Sequence, residues 1–157
     1  MSITSATGTK AKARVTVQFA APRVGLPAAS RFRTWAIAAL DGPAEVTLRI
    51  VDEEEGRGLN LRYRGMGYAT NVLTFAYPET DPLVGDIVLC APVVGREAVA
   101  RSIALDAHYA HLTVHGLLHL QGFDHENERD AAVMEARESR IVQALGYADP
   151  YAETLEA

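Results

Sequence analysis

Between Arg14 and Phe19 the chain reads RVTVQF, with Val15, Val17 and Phe19 on one side and Arg14, Thr16 and Gln18 on the other. A period of two marks a half-buried strand. The alternation returns over Glu45 to Val51, where Val46, Leu48 and Ile50 share a face, and predicts a second strand. Between the two, Phe32, Trp35, Ile37, Ala38 and Leu40 follow helical spacing. Ser30 is the expected N-cap of that helix, and Asp41-Gly42-Pro43 stops it after Leu40. Glu53 to Tyr63 reads as a weaker helix because Gly56 and Gly58 lower its propensity. Asn71 to Phe75 (NVLTF) and Asp86 to Cys90 (DIVLC) are apolar, β-branched runs separated by Pro78, Pro82 and Gly85, and predict two more strands around a turn-rich loop. Pro92 then opens a helix expected to carry Val93, Val94, Ala98, Val99, Ile103 and Leu105. A further helix is expected from Tyr109 to Leu120, broken by Gly122, and a last one from Glu128 to Leu145, ended by Gly146.

Four strands and about five helices, with no internal repeat or linker, predict an α+β fold in which a small four-stranded mixed sheet is packed with helices. Met1 to Ala13 has no hydrophobic period and reads as a loose tail, leaving 14–157 as a single domain. A chain of 157 residues suits one core, and 48% hydrophobic and 22% charged residues exclude a disordered or fibrous class. No stretch approaches the ~18 apolar residues of a membrane span, and the N-terminus lacks a secretory core, so a cytoplasmic protein with no membrane partner is expected. Cys90 is the only cysteine, which excludes an internal disulfide and a multi-cysteine zinc site. A metal would have to be held by His, Asp or Glu.

The segment His115 to His125 reads HGLLHLQGFDH and offers such a site. Residues four apart lie on one face of a helix, so His115 and His119 can aim their rings at one point. Gly122 can adopt the left-handed conformation that ends a helix, letting the chain fold back so that His125 completes a triad. Three imidazoles leave a fourth tetrahedral position open to water, as in a catalytic zinc site, although nickel, copper and iron also take imidazole. His108 and His111 extend the same stripe toward the N-terminus in supporting or surface roles. Asp124 and Glu126 flank His125 and can orient an imidazole N–H. Zinc proteases place a glutamate directly after the first histidine as general base, but that position here is Gly116, which argues against peptide hydrolysis.

This segment, together with LNLRYRGMGYATNVLTF over Leu59 to Phe75 and GDIVLCAPVVGREA over Gly85 to Ala98, resembles in the same order segments of the YbeY family of bacterial single-strand endoribonucleases. The resemblance extends over most of the chain from about Arg14 to Gly146. It implies a zinc-dependent hydrolytic endoribonuclease in small-subunit ribosomal RNA 3′-end processing and ribosome quality control. Its partners would be single-stranded or ribosomal RNA and the ribosome or small-subunit proteins. His115, His119 and His125 match the family's metal ligands, His115 then acting with a metal-bound water, and Arg64 matches a functionally important arginine. A guanidinium suits that role because it can grip a phosphate with two parallel N–H donors. Where the family commonly carries a Lys-Asp pair between Arg64 and Thr70, this chain has Gly65-Met66-Gly67-Tyr68. Tyr68 either stacks on an unpaired base or packs under its loop.

A net charge of -5 rules out a uniformly basic surface, so RNA binding requires a local strip, for which Arg57, Arg62, Arg64, Arg96 and Arg101 are the candidates. Two other readings compete. One is a ribosome-assembly factor with a mainly structural metal, which a fourth protein ligand would favour. The other is a metallohydrolase of another ester or amide, against which Gly116 stands.

Overall fold

In a computed structural model of the chain, which describes residues 13–152, the alternating segments form strands because each has one face to bury. The tail assigned to Met1 to Ala13 lies outside the described residues except for Ala13, as do residues 153–157 of the expected domain. β1 (Arg14–Ala20) and β2 (Ala44–Val51) pair in parallel, with Val15 opposite Val46, Val17 opposite Leu48 and Phe19 opposite Ile50. This register gathers the apolar positions on one face, and a slip of one residue would turn them all outward. Parallel neighbours need a crossover, which α1 (Ala29–Ala39) supplies. β4 (Leu83–Cys90) runs parallel to β2 on its other side, and β3 (Val72–Ala76) pairs antiparallel with β4, giving the order β1-β2-β4-β3. With α2 (Glu53–Arg64), α3 (Ala91–Arg101), α4 (Leu105–Leu120) and α5 (Glu128–Ala144), this is the expected α+β fold with a mixed four-stranded sheet and five helices among the described residues.

The main core lies between one sheet face and α1, α4 and α5. Phe32 of α1 is fully buried at its centre, edge-on to Phe19, Trp35 and Tyr109 with ring centroids 6.1, 5.2 and 5.4 Å away. α4 is buried along most of its length, which explains why its apolar residues run almost all the way round. It lies close against β4: a Cβ on Gly116 would stand 3.1 Å from Ile87 Cδ1, and one on Gly85 would stand 2.8 Å from Leu120 Cδ1. On the opposite face a smaller core of Val51, Leu73, Val88 and Cys90 is covered by Leu59 of α2 and Val93 of α3. Here Gly56 permits the contact, since a Cβ at that position would meet Cys90 Sγ at 2.9 Å. The glycine that weakens the helix in sequence lets α2 seat on the sheet, and burial pushes the Cys90 thiol pKa up.

Several boundaries differ from expectation. Ser30 is not the N-cap of α1, because Ala28 occupies that place with no side-chain bond and the Ser30 carbonyl accepts from Thr34 Oγ1. Ser102, at φ 56, ends α3 before Ile103, and Leu105 instead begins α4, which therefore includes His108. β4 starts at Leu83 rather than Asp86, and β3 covers Val72–Ala76 rather than Asn71 to Phe75. Among the described residues no helix is long and apolar enough to cross a membrane.

Candidate metal centre

α4 carries His115 and His119 one turn apart near its C-terminal end. The helix then closes as expected on Gly122, whose φ is 104°. The Gly122 N–H donates to the His119 carbonyl and the Phe123 N–H to the Leu118 carbonyl, a pairing that satisfies two helix-end carbonyls and needs a left-handed residue between them. Gln121 anchors this corner, donating from Nε2 to the Ala39 carbonyl at 2.7 Å while its Oε1 accepts from the Asp41 N–H at 2.9 Å. The reversal brings His125 back to the helix, with its ring centroid 5.7 Å from that of His115 and 6.1 Å from that of His119.

Hydrogen bonds fix the protonation of the two helical rings. His119 Nδ1 lies 3.1 Å from the Phe123 carbonyl, which can only accept, so Nδ1 carries the proton. His115 Nδ1 lies 2.7 Å from Oε2 of Glu138, a side chain 1% exposed on α5. Burial pushes the Glu138 carboxyl pKa up, but hydrogen bonds from His111, His115 and Tyr151 outweigh it and hold the pKa at about 2. Glu138 is therefore ionised and accepts from His115 as well. With the proton on Nδ1, the neutral form of each ring has its lone pair on Nε2, the form that ligates a metal.

A metal-bound imidazole places its centroid about 3.2 Å from the ion, so two such rings at a tetrahedral angle stand about 5.2 Å apart. The 5.7 and 6.1 Å separations exceed this by less than about 1 Å. Among the described residues no three His, Cys, Asp or Glu side chains already stand at metal-binding distances. His125 is exposed on its loop, and on the other two rings Nδ1 is engaged, which leaves Nε2 as the donor atom. Three imidazoles facing one cleft are a donor set of the kind that a single divalent transition metal takes.

The three histidines open into a cleft of about 380 Å³, whose walls include Arg64, the β3 residues Val72 to Thr74, and Asp124 and Glu126. Arg64 reaches it from the last position of α2, which Gly65 ends at φ 75°. Asp52 caps the start of that helix by accepting from the Glu55 N–H at 2.9 Å. The profile of the Endoribonuclease YbeY family matches residues 29–146, a span that holds Arg64 and all three histidines. The chain belongs to the YbeY family. The Endoribonuclease YbeY of Methylobacillus flagellatus is 60% identical over 135 residues, covering 86% of this chain and 91% of that protein. That of Nitrosomonas eutropha is 56% identical over 137 residues, covering 87% and 97%. A solution structure of TM1509 from Thermotoga maritima superposes with a TM-score of 0.58 at 23% identity, over 87% of this chain and 98% of that one, and shares the fold.

Within this YbeY-family chain the other candidate residues separate into distinct places. The five arginines do not line one groove. Arg96 is held by Glu53 through two contacts of 3.1 Å. Arg62, two residues from Arg64, projects from another side of α2, and Arg57 lies two turns back, about 10 Å along the axis. Arg101 lines an adjoining recess of about 350 Å³ that shares Val72 and His115 with the cleft. Only Arg64 of the five lines the cleft itself, so the expected strip reduces to Arg64 with Arg101 beside it. Asp124 lines the cleft, and its Oδ1 accepts from the Glu126 N–H at 3.0 Å, which orders the loop around His125. His111 bonds Glu138 Oε1 at 2.8 Å, and buried His108 bonds Glu97 at 2.8 Å. Gly116 faces Ile87 rather than the cleft, so the position of a protease's general base is a packing position here. Tyr68 is 60% exposed, not packed under its loop. No motif pointed to Glu138. The sole sequence signal was the stripe His108, His111, His115 on a largely buried helix, whose partly or fully buried rings need acceptors on neighbouring elements.

Proposed function

We propose that this chain is a metal-dependent endoribonuclease that hydrolyses single-stranded RNA in the cleft between α2, β3 and α4. The single observation supporting this is the convergence there of Arg64 with His115, His119 and His125, residues contributed by two helices and a loop. Zinc is the cofactor that three imidazoles suit best, with nickel or another divalent transition metal able to take the same donors. The bound ion supplies Lewis acidity toward water or a phosphoryl oxygen. His115 and His119 present Nε2 from a rigid helix, and His125 completes the set from the loop. Arg64 offers its guanidinium fork to the phosphodiester and offsets the negative charge that builds on it. Asp124 and Glu126, on the loop side of the cleft, repel the RNA backbone and so favour its placement against the Arg64 wall. In the cell we assign this activity to 3′-end maturation of small-subunit ribosomal RNA and to ribosome quality control in the cytoplasm, with ribosomal RNA and small-subunit proteins as partners. The family resemblance supports this assignment.

The test is cleavage of a single-stranded RNA by the purified protein as isolated, after chelation, and after zinc is restored, beside a His119→Ala variant. Cleavage lost on chelation, regained with zinc and absent from the folded variant is the expected result. A variant that cleaves like its parent would sink the proposal. The presence of Asp124 in the cleft favours one other reading, a structural metal closed by a fourth protein ligand. X-ray absorption of the zinc form separates the two, since a ligand shell made wholly of protein atoms would leave no position for water.

A further inference from the structure

Beyond the histidine motif, one buried carboxylate connects the metal centre to a part of the chain outside that motif. Glu138 is 1% exposed on α5, yet it gathers three donors: His115 Nδ1 at 2.7 Å on Oε2, and His111 Nε2 at 2.8 Å with the Tyr151 hydroxyl on Oε1. Tyr151 belongs to the turn after α5, and Asp149 pins that turn to the helix. Its Oδ1 accepts from Ser139 Oγ at 2.7 Å and from the Tyr151 N–H at 3.0 Å. Ser139 is the residue next to Glu138, so the turn is stitched to the helix beside the carboxylate it serves.

The two rings reach the carboxylate through different nitrogens, Nδ1 of His115 on Oε2 and Nε2 of His111 on Oε1, and each N–H donates to the oxygen it faces. His115 is thereby protonated on Nδ1 and keeps its Nε2 lone pair for a metal. His111 is protonated on Nε2, and its Nε2 is consumed by Glu138. This explains why His111, one helical turn from His115, serves the carboxylate instead of the ion.

We propose that Glu138 is the positioning residue of the metal centre: it selects the ligand nitrogen of His115 and fixes its ring, and is itself held in register by His111 and by Tyr151 of the turn after α5. The proposal rests on the metal reading above. Carboxylates that accept from a ligating imidazole orient the ring and raise its basicity, and removing them typically weakens metal binding about 10- to 100-fold.

The experiment uses the full chain. Zinc affinity is measured by competition with a chromophoric chelator for the parent, Glu138→Gln, Tyr151→Phe and His119→Ala, and the metal-free unfolding transition of each is recorded. Glu138→Gln keeps the side-chain volume but loses the charge, and is expected to bind zinc about 10- to 100-fold more weakly while folded. Tyr151→Phe removes one donor from Oε1 and leaves the His115 contact in place, so its loss should be smaller, under about tenfold. A purely structural Glu138 would lower the unfolding midpoint and leave the affinity of the folded protein within threefold of the parent, which overturns the proposal. Should Glu138→Gln not fold, the metal-free parent still decides. Long-range ¹H–¹⁵N correlations must show His115 protonated on Nδ1, and protonation on Nε2 overturns the proposal. If the parent binds no more zinc than His119→Ala, the underlying metal reading fails and the proposal falls with it. Parent binding with unchanged Glu138→Gln affinity defeats the proposal alone.

Discussion

Replacing Arg64 with alanine separates the wall of the cleft that would touch phosphate from the one that would hold metal. Arg64 is exposed, and α2 is ended by Gly65 through backbone bonds rather than by the arginine side chain. Its removal should therefore change stability by less than about 0.5 kcal/mol. A hydrogen bond between a charged donor and a phosphate contributes about 1.5–3 kcal/mol, more than a neutral one. Since about 1.4 kcal/mol is a factor of ten, kcat/KM should fall roughly 10- to 150-fold. Arg64→Lys keeps the charge without the planar fork and should recover only part of the loss. The assay is kcat/KM on a single-stranded oligoribonucleotide below saturation, with zinc content and unfolding midpoint measured on the same preparations. Parent-like kcat/KM from folded, zinc-loaded Arg64→Ala would refute the phosphate role. A fall in zinc content would show that the arginine acts through the metal site instead.

Other outcomes follow from the packing around the site. Burial lowers the His108 pKa, more than Glu97 raises it, so the folded protein takes up that proton at lower pH than the unfolded chain, whose imidazole titrates near about 6.5. This contribution to stability is lost as pH falls through that value. Urea unfolding at pH 7.5 and 5.5 should show a smaller difference for His108→Gln than for the parent, and equal differences would contradict the assignment. Gly116→Glu, which puts a protease-like base in the motif, should cost about 3–5 kcal/mol because it drives a charge into fully buried Ile87; near-parent stability would show that α4 is not so tightly seated. Gly122→Ala forces a side chain onto a φ of 104°, at about 1–3 kcal/mol, and should weaken zinc uptake by displacing the His125 loop. Unchanged affinity in the chelator competition would mean that the loop finds His125's place without the glycine.

The strands β1 and β2 were legible because one face of each is wet, so burial leaves its period in the sequence. The clustering of His115, His119 and His125 was legible for a related reason: local helix geometry and one glycine suffice to bring them together. Elements shaped by tertiary contact were less readable. Gly56 looked like a helix breaker, yet it is the point where α2 meets Cys90, and Gly85 looked like a turn, yet it lies inside β4 beneath Leu120. The end of α3 at Ser102 left no mark, since a serine at positive φ cannot be told from any other serine. Glu138 was hidden among the many charged residues of α5, and only the facing of α4 against α5 buries that one. Arg62 and Arg64 are close in sequence yet do not share the cleft, because a helix spreads neighbouring residues around its axis.

Cys90 is the chain's only cysteine, sealed beneath α2 with no more room than Gly56 allows. A thiol reagent can reach it only when the cover laid over it by α2 and its neighbours opens. Because α2 ends at Arg64, an opening on the α2 side also removes one wall of the cleft. The native cysteine is therefore a built-in clock: the rate at which a chromogenic disulfide reagent consumes it sets an upper bound on how often the wall that carries Arg64 comes away, with no engineered label.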